Sequence, residues 1–355
     1  MNRARALEAA LPPVLAILVS LVVGDLLIIA FGQSPGHVFR LLLEGTWGNP
    51  YGLGQVLYKA TTLAFTGLSV AIGLRAGLFN IGAEGQLAGG AFGCAIAGLA
   101  LPIGTPGVVA APLCIAAAAI TGGVIGAIPG ALKAVFGAHE VIVTFMLNFV
   151  VLAGLNWVVA AKLHDPETLH TPAIHAGALP RLSAIASALH GSAANWCVAL
   201  AIVTALVLLA LIFRARFGFA LRATGLSPDA ARASGVRVGG LWVVTFVIAG
   251  ALAGMGGTNF VLGYKGYYED GLAGGAGFMG IAVALVGRNH PLGVLLAALL
   301  FATLSQGGLA IHAVVPKQLV EVLQAVVILT MAATAPEVRR LLERAARPVD
   351  RAEGT

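Results

Sequence analysis

The run HEVIVTFMLNFVVLAGLNWVVAA, residues 139–161, decides the fold. It carries one acidic side chain, Glu140, in an otherwise apolar stretch. A helix needs about 20 such residues to cross the hydrocarbon core of a bilayer. Glu140, Thr144 and Asn148 recur at i, i+4 and i+8. At about 100° per residue they stay within about 80° on one face. This is a membrane helix with a polar stripe running from one boundary toward mid-membrane. Polar groups at that depth face a bundle interior or a water-filled cavity. The stripe reads either as capping and interhelical hydrogen bonding or as the wall of a translocation path.

Nine further runs of the same kind surround it. The ten spans predicted are roughly 11–32, 53–74, 85–101, 107–132, 139–161, 195–213, 240–262, 277–287, 292–311 and 318–335. The eighth is short and Gly-rich, as a broken or half helix would be. Of the 355 residues, 59% are hydrophobic and 10% charged, and the mean hydropathy is +0.94. Soluble domains carry roughly 25% charged residues, so a soluble enzyme is excluded. The unbroken apolar runs also argue against an outer-membrane barrel, whose strands alternate. The expected fold is all-α, a polytopic membrane helical bundle of about ten transmembrane helices, with both termini cytoplasmic. With that topology, 15 of the 21 Lys and Arg residues fall on the inside and 6 on the outside, in line with the positive-inside rule. The net charge of +6 is thus read as topology. Residues 1–355 are expected to form one membrane domain. It has an inside loop at 214–239, an outer loop at 162–194 and an inside tail at 336–355.

The segment GLFNIGAEGQ, residues 77–86, interrupts two apolar runs with Asn80, Glu84 and Gln86. Its glycines permit a non-helical stretch, which membranes tolerate only where it is buried in protein or lines water. The other reading is a cytoplasmic turn in which Asn80 or Glu84 caps a helix. In the loop at 214–239, Ser227, Pro228 and Asp229 spell a short helix with Ser227 at its N-cap, and Gly235 ends it. Such a helix suits docking into another protein. The bland reading is a solvated basic loop. Glycines at Gly85/Gly89/Gly93, Gly122/Gly126/Gly130 and Gly250/Gly254 are spaced to let helices approach closely.

Several candidate chemistries fall away. Gly275, Gly277 and Gly280 match a dinucleotide fingerprint formally, but the context is a membrane span and not a βαβ unit. His164, His170, His175 and His190 fit no standard zinc spacing. Cys94, Cys114 and Cys197 read as free buried thiols. Tyr264, Tyr267 and Tyr268 fit an interfacial belt. Asp25 lies within the first span and Glu321 near the edge of the last; both read as satisfied structural acids before they read as proton relays. No GxxxxGK[ST] motif occurs, so any ATP site must belong to another subunit.

Four segments together resemble one family. They are FNIGAEGQ at 79–86, HEVIVTFMLN at 139–148, the loop from Gly218 to Gly235, and GFMGIAVALVGRNHPLG at 277–293. The chain resembles permease subunits of bacterial ABC importers in the ribose and branched-chain amino-acid permease superfamily. Within it, the likeness is to nucleoside or simple-sugar permeases that work with a basic-membrane-protein type lipoprotein. The resemblance implies a multi-pass protein of the bacterial inner (plasma) membrane with no catalytic residue of its own and no metal. ATP and magnesium would be bound by a partner ABC ATPase. A second permease subunit, identical or homologous, and an extracytoplasmic substrate-binding lipoprotein complete the set, and no nucleic acid is implied.

Residues 218–235 resemble a coupling helix that inserts into the ATPase, which implicates Arg222, Ala223, Gly225, Asp229, Ala230, Ala231 and Gly235. Asp229 stands where such loops carry Glu. Asn80, Glu84, Gln86, Thr144 and Asn148 are the expected substrate path, because neutral polar groups suit a hydroxyl-rich solute. The competing expectation is a stand-alone secondary transporter with Asp25, Glu84 or Glu140 as its proton site. A membrane-embedded enzyme finds no paired acids, metal cluster or nucleophile–base pair to support it.

Overall fold

The structure, a computed structural model, describes residues 3–164, 168–184 and 186–346. Every extended element in it is helical: α1 (Arg3–Ala30), α2 (Pro35–Gly45), α3 (Pro50–Arg75), α4 (Ala83–Ala100), α5 (Gly107–Phe136), α6 (Glu140–Val158), α7 (Cys197–Arg214), α8 (Arg216–Leu226), α9 (Pro228–Ala233), α10 (Val238–Phe260), α11 (Ala276–Val286), α12 (Pro291–Ile311) and α13 (Lys317–Ala346). Helices α6 and α10 each run on into a wider π turn, at Val159–Leu163 and Val261–Lys265.

Each of the ten predicted spans falls on a helix. Among the described residues, six are long and apolar enough to cross a bilayer: α3, α5, α6, α7, α10 and α12. A seventh forms if α1 from Leu18 and α2 count as one span bent by 114°. The shortfall has local causes. Helix α4 spends its first turns on Glu84 and Gln86. Helix α11 has 11 residues, and the apolar part of α13 is confined to Gln318–Met331. Helix α13 also continues to Ala346, so the start of the expected inside tail is helical; residues 347–355 lie outside the described residues, as do 165–167 of the outer loop.

The chain divides into two compact units, Met1–Gly45 with Gly307–Thr355, and Thr46–Gln306. In the first, α1 packs on α13: Gly24 faces Leu323, and the Ser20 hydroxyl reaches the Leu323 carbonyl. Asp25 is half-buried, and its Oδ1 has no hydrogen-bond partner among the described residues. Glu321 is exposed.

The second unit is built around α3. Asn49 caps it by accepting from the Gly52 N–H, and Pro50 opens it. From Ala60 to Gly73 every residue of α3 is buried, and its small and hydroxyl side chains let α10 and α11 come close. Helices α5 and α10 cross with almost no side chains between them. A Cβ built on Gly126 would overlap the Phe246 carbonyl, and one on Gly250 would overlap the Gly122 carbonyl. Gly254 meets Gly90 on α4 in the same way. The Gly85/Gly89/Gly93 strip takes α6 at Asn148 and Val151, and α5 at Ile125 and Thr121.

On the opposite side from the 214–239 loop, a strap from the predicted outer loop runs beside the segment that follows α10. The N–H groups of Thr171, Ile174 and Leu179 donate to the carbonyls of Tyr268, Gly266 and Leu262. His170 stacks on Tyr267 with ring centres 4.1 Å apart. Tyr268 is buried among Ala91, Cys94, Ala95, Cys114 and Ala118.

Candidate functional site: a re-entrant polar hub and a cytoplasmic loop

After Arg75 the chain does not simply turn. Gly77 takes a left-handed backbone (φ 72°), and residues 76–82 fold back along α3 until the Asn80 amide donates to the Ser69 hydroxyl at 3.2 Å. Ser69 lies six residues before Arg75, or about 9 Å up the helix at 1.5 Å per residue. Helix α4 therefore starts well inside the bundle. A non-helical stretch at that depth leaves backbone groups that need partners.

The predicted polar residues supply them. Asn148 on α6 accepts from the Gly85 N–H (2.9 Å) and donates to the Ile81 carbonyl (2.9 Å). Thr144, one turn earlier, accepts from the Ile81 N–H (3.3 Å) and donates to the Glu140 carbonyl (2.7 Å). Asn80 accepts from the Gly82 N–H (3.1 Å) and donates to Gln86 Oε1 (2.8 Å). Glu140 is held by Lys133 at 2.6 Å at the mouth of the stripe.

Glu84 joins this hub to α11. Its two carboxylate oxygens accept the N–H groups of Gly275 (2.8 Å) and Gly277 (2.7 Å). These are orphan donors at the first turn of α11, and an anion there is favoured by the dipole. Glu84 also lies in the first turn of α4. One carboxylate thus sits where two helix N-termini meet. The approach needs glycine: Gly275 has φ 84°, and a Cβ on Gly277 would overlap the Glu84 backbone. Thr66 of α3 closes the arrangement by donating to the Ala276 carbonyl at 3.0 Å. Helix α11 is a half helix that begins at mid-bundle.

The structure brings Asn80, Glu84, Gln86, Thr144 and Asn148 together, and all five are buried. Sequence reasoning missed Ser69, Thr66 and the Gly275–Gly277 amides. It also missed a second polar cluster, in which Asn259 donates to the Tyr58 carbonyl and to Thr62, and accepts from Asn195, each at 2.9 Å. For Ser69, Thr66, Thr62, Asn195 and Asn259 the signal was the same as for Asn148, a carboxamide or hydroxyl within or beside an apolar run; the glycine amides carry no such signal.

The 214–239 loop contains two helices. Gly218 lets α8 fold tightly onto the last carbonyls of α7. Ser227 caps α9, accepting from the Ala230 N–H at 3.3 Å, with Pro228 at its first position. Gly235, with φ 87°, ends the turn that follows. Asp229, Ala230, Arg232 and Gly235 are exposed and Ala231 is buried beneath them. Arg222, Ala223 and Gly225 of α8 are half-buried, and Gly225 rests on the Arg75 carbonyl and Gly77 at the end of α3.

Comparison with known proteins adds the family. The chain is 36% identical over 327 residues to the guanosine ABC transporter permease protein NupP of Bacillus subtilis (strain 168), covering 91% of this chain and 93% of that protein. It is 34% identical over 330 residues to the nucleoside ABC transporter permease protein NupB of Lactococcus lactis subsp. cremoris (strain MG1363), covering 91% and 90%. It is 34% identical over 334 residues to the glucose ABC transporter permease protein TsgB13 of Haloferax volcanii, covering 89% and 85%. Residues 52–332 match the family model described as branched-chain amino acid transport system / permease component, and with the half helix and the braced loop now in place, the chain belongs to that family of membrane-embedded ABC permeases.

Proposed function

We propose that this chain is the membrane-spanning subunit of an ATP-driven importer for nucleosides or a related ribosyl or simple-sugar solute. The observation that carries the solute class is the identity of 34–36% over nine-tenths of the chain to permeases named for nucleosides and guanosine. The glucose permease, similar to the same degree, keeps simple sugars in the class. The chain is a permease component and not itself an ATPase.

In this reading the whole chain acts as one permease domain and crosses the membrane ten times, both ends inside. The four segments short of a full span are the bent N-terminal pair, α4 with its polar first turns, the half helix α11, and α13, whose apolar part is Gln318–Met331. The basic loop at 214–239 lies on the inside, as the excess of arginine there supports. A cytoplasmic ABC ATPase, which binds ATP and magnesium, docks on α9 through Asp229, Ala230 and Gly235. A second permease subunit pairs with this one in the membrane. A lipoprotein on the outside delivers solute near the strap at 168–184. Asn80, Glu84, Gln86, Thr144 and Asn148 frame the substrate path. They fix the re-entrant segment and the start of α11 at the depth where transporters place broken helices. Their bonds to one another make them the supports of the path more than free ligands in it. A proton site at Glu84 or Glu140 fits less well, because both carboxylates already hold partners in the bundle.

The test is the pair Asp229→Arg with Gly235→Trp in the assembled transporter. Both positions are exposed, and because Gly235 sits at φ 87°, where a side chain is strained, Asp229→Arg alone is measured beside the pair. The expected result is loss of solute uptake and of substrate-stimulated ATP hydrolysis at unchanged membrane abundance. Full retention of both removes the docking role from this loop.

A further inference from the structure

We propose that Phe213, with Arg75 and Arg222 on its ring, is the joint that carries movement of the 214–239 loop to half helix α11, and that Arg75 is its positioning residue. The inference rests on the importer reading and names residues within it. Phe213 lies in the last turn of α7, next to the loop. The Arg75 guanidinium carbon is 5.0 Å from its ring centre and that of Arg222 is 5.4 Å. The three residues come from three elements: α3, α7 and α8. Guanidinium groups pack well against aromatic rings, so the ring is a shared bearing for two of them.

Each arginine is also tied to backbone. Arg222 Nε donates to the Gly218 carbonyl at 3.2 Å, inside α8. Arg75 Nε donates at 2.8 Å to the carbonyl of Asn289, in the turn between α11 and α12. That turn is unusual. Arg288 and Asn289 are the non-glycine residues with positive φ, 54° and 53°, among the described residues. Two consecutive side-chain-bearing residues in the left-handed region cost energy and persist only where the surroundings fix them. The Arg75 bond is part of that fixing. Gly287 and Gly293 pack backbone to backbone across the same turn. His290 then brings its ring to 5.4 Å from Phe213.

Neither end of this linkage has slack. Gly225 of α8 lies on the Arg75 carbonyl with no room for a Cβ. At its other end α11 is bound by Glu84 to the start of α4. Helix α11 spans about 16 Å at 1.5 Å per residue. It is a short rod pinned at the joint below and at the polar hub above. A shift of α8 reaches the turn at 288–290 through Arg75 and Phe213, and the rod delivers it to the re-entrant segment.

The experiment uses the complete transporter in liposomes, with guanosine and then glucose as solutes, and reads solute imported per ATP hydrolysed. Phe213→Leu and Arg75→Gln are measured side by side with Phe213→Trp. For the first two, assembly with the ATPase and basal hydrolysis are expected to stay normal. Their import per ATP is expected to fall roughly 2- to 30-fold, the range in which residues of a coupled network act. Phe213→Trp, which keeps a ring under the guanidinium groups, is expected to restore the ratio. A normal ratio in either assembled variant overturns the joint. Failure of all three variants to assemble overturns it too, since the cluster is then a folding element. Absence of ATP-driven uptake by the unmutated transporter instead sinks the importer reading itself.

Discussion

Asn148 shows how much of the hub one side chain carries. Its carboxamide spends its oxygen on the Gly85 N–H and its nitrogen on the Ile81 carbonyl. Truncation to alanine leaves a buried donor and a buried acceptor without partners, each costing about 1–3 kcal/mol. The thermal midpoint of the detergent-purified protein is predicted to drop clearly for Asn148→Ala and to drop much less for Phe149→Ala, whose ring is exposed on the other face. His290 offers a second prediction. Burial, helped by the Arg75 charge, holds its imidazole below its ordinary value. The folded protein therefore favours neutral His290, and stability present above the ordinary His range is lost as pH falls through it. The melting temperature is predicted to fall between pH 7.5 and 5.5, and His290→Gln to remove part of that slope. At this scale the sequence marked the hub residues well, because a carboxamide or carboxylate in or beside an apolar run stands out. It hid their partners. Glu84 binds backbone amides 191 and 193 residues away, and a backbone N–H has no letter in the sequence.

At the scale of elements, glycine spacing was informative beyond its usual meaning. Gly122, Gly126, Gly250 and Gly254 were set apart by spacing alone, and they face one another across the α5–α10 crossing. Gly250→Val forces a side chain into the Gly122 carbonyl, and overpacking of this kind costs roughly 1–3 kcal/mol or more. Gly154 on α6 has open space around its missing Cβ. Gly154→Val is therefore predicted to leave the melting temperature near that of the parent, while Gly250→Val lowers it sharply. Two elements escaped sequence reasoning. The 114° bend between α1 and α2 follows from Gly32 in a left-handed conformation and Pro35 opening the next helix, signals that an apolar count ignores. The residues of α8 fall within the 218–235 stretch whose resemblance implies a coupling helix, but the residue pattern marks only the short helix from Ser227; α8 as a separate helix before it is hidden because its periodicity is short and mixed with arginine. Span counting by length also reads half helices poorly. Helices α4 and α11 are embedded because they share one another's termini, which is a tertiary fact.

For the molecule as a whole, composition settled the class and the four ordered motifs settled the family, which the match over residues 52–332 bears out. The absence of a P-loop sequence separates the energy source from the path. In the proposed reading the 214–239 loop, braced on α3 through Gly225, couples the two. The importer reading makes one demand that no structural role of the helices can meet, that solute moves inward only when ATP is hydrolysed by a partner. The direct measurement is uptake of labelled guanosine by liposomes containing the transporter purified through a tag on this chain, with and without ATP on the ATPase side. Uptake that requires ATP, and that disappears with Asp229→Arg and Gly235→Trp, is the predicted result. Uptake by this chain alone without ATP, collapsed by a protonophore, would contradict it and move attention to Asp25.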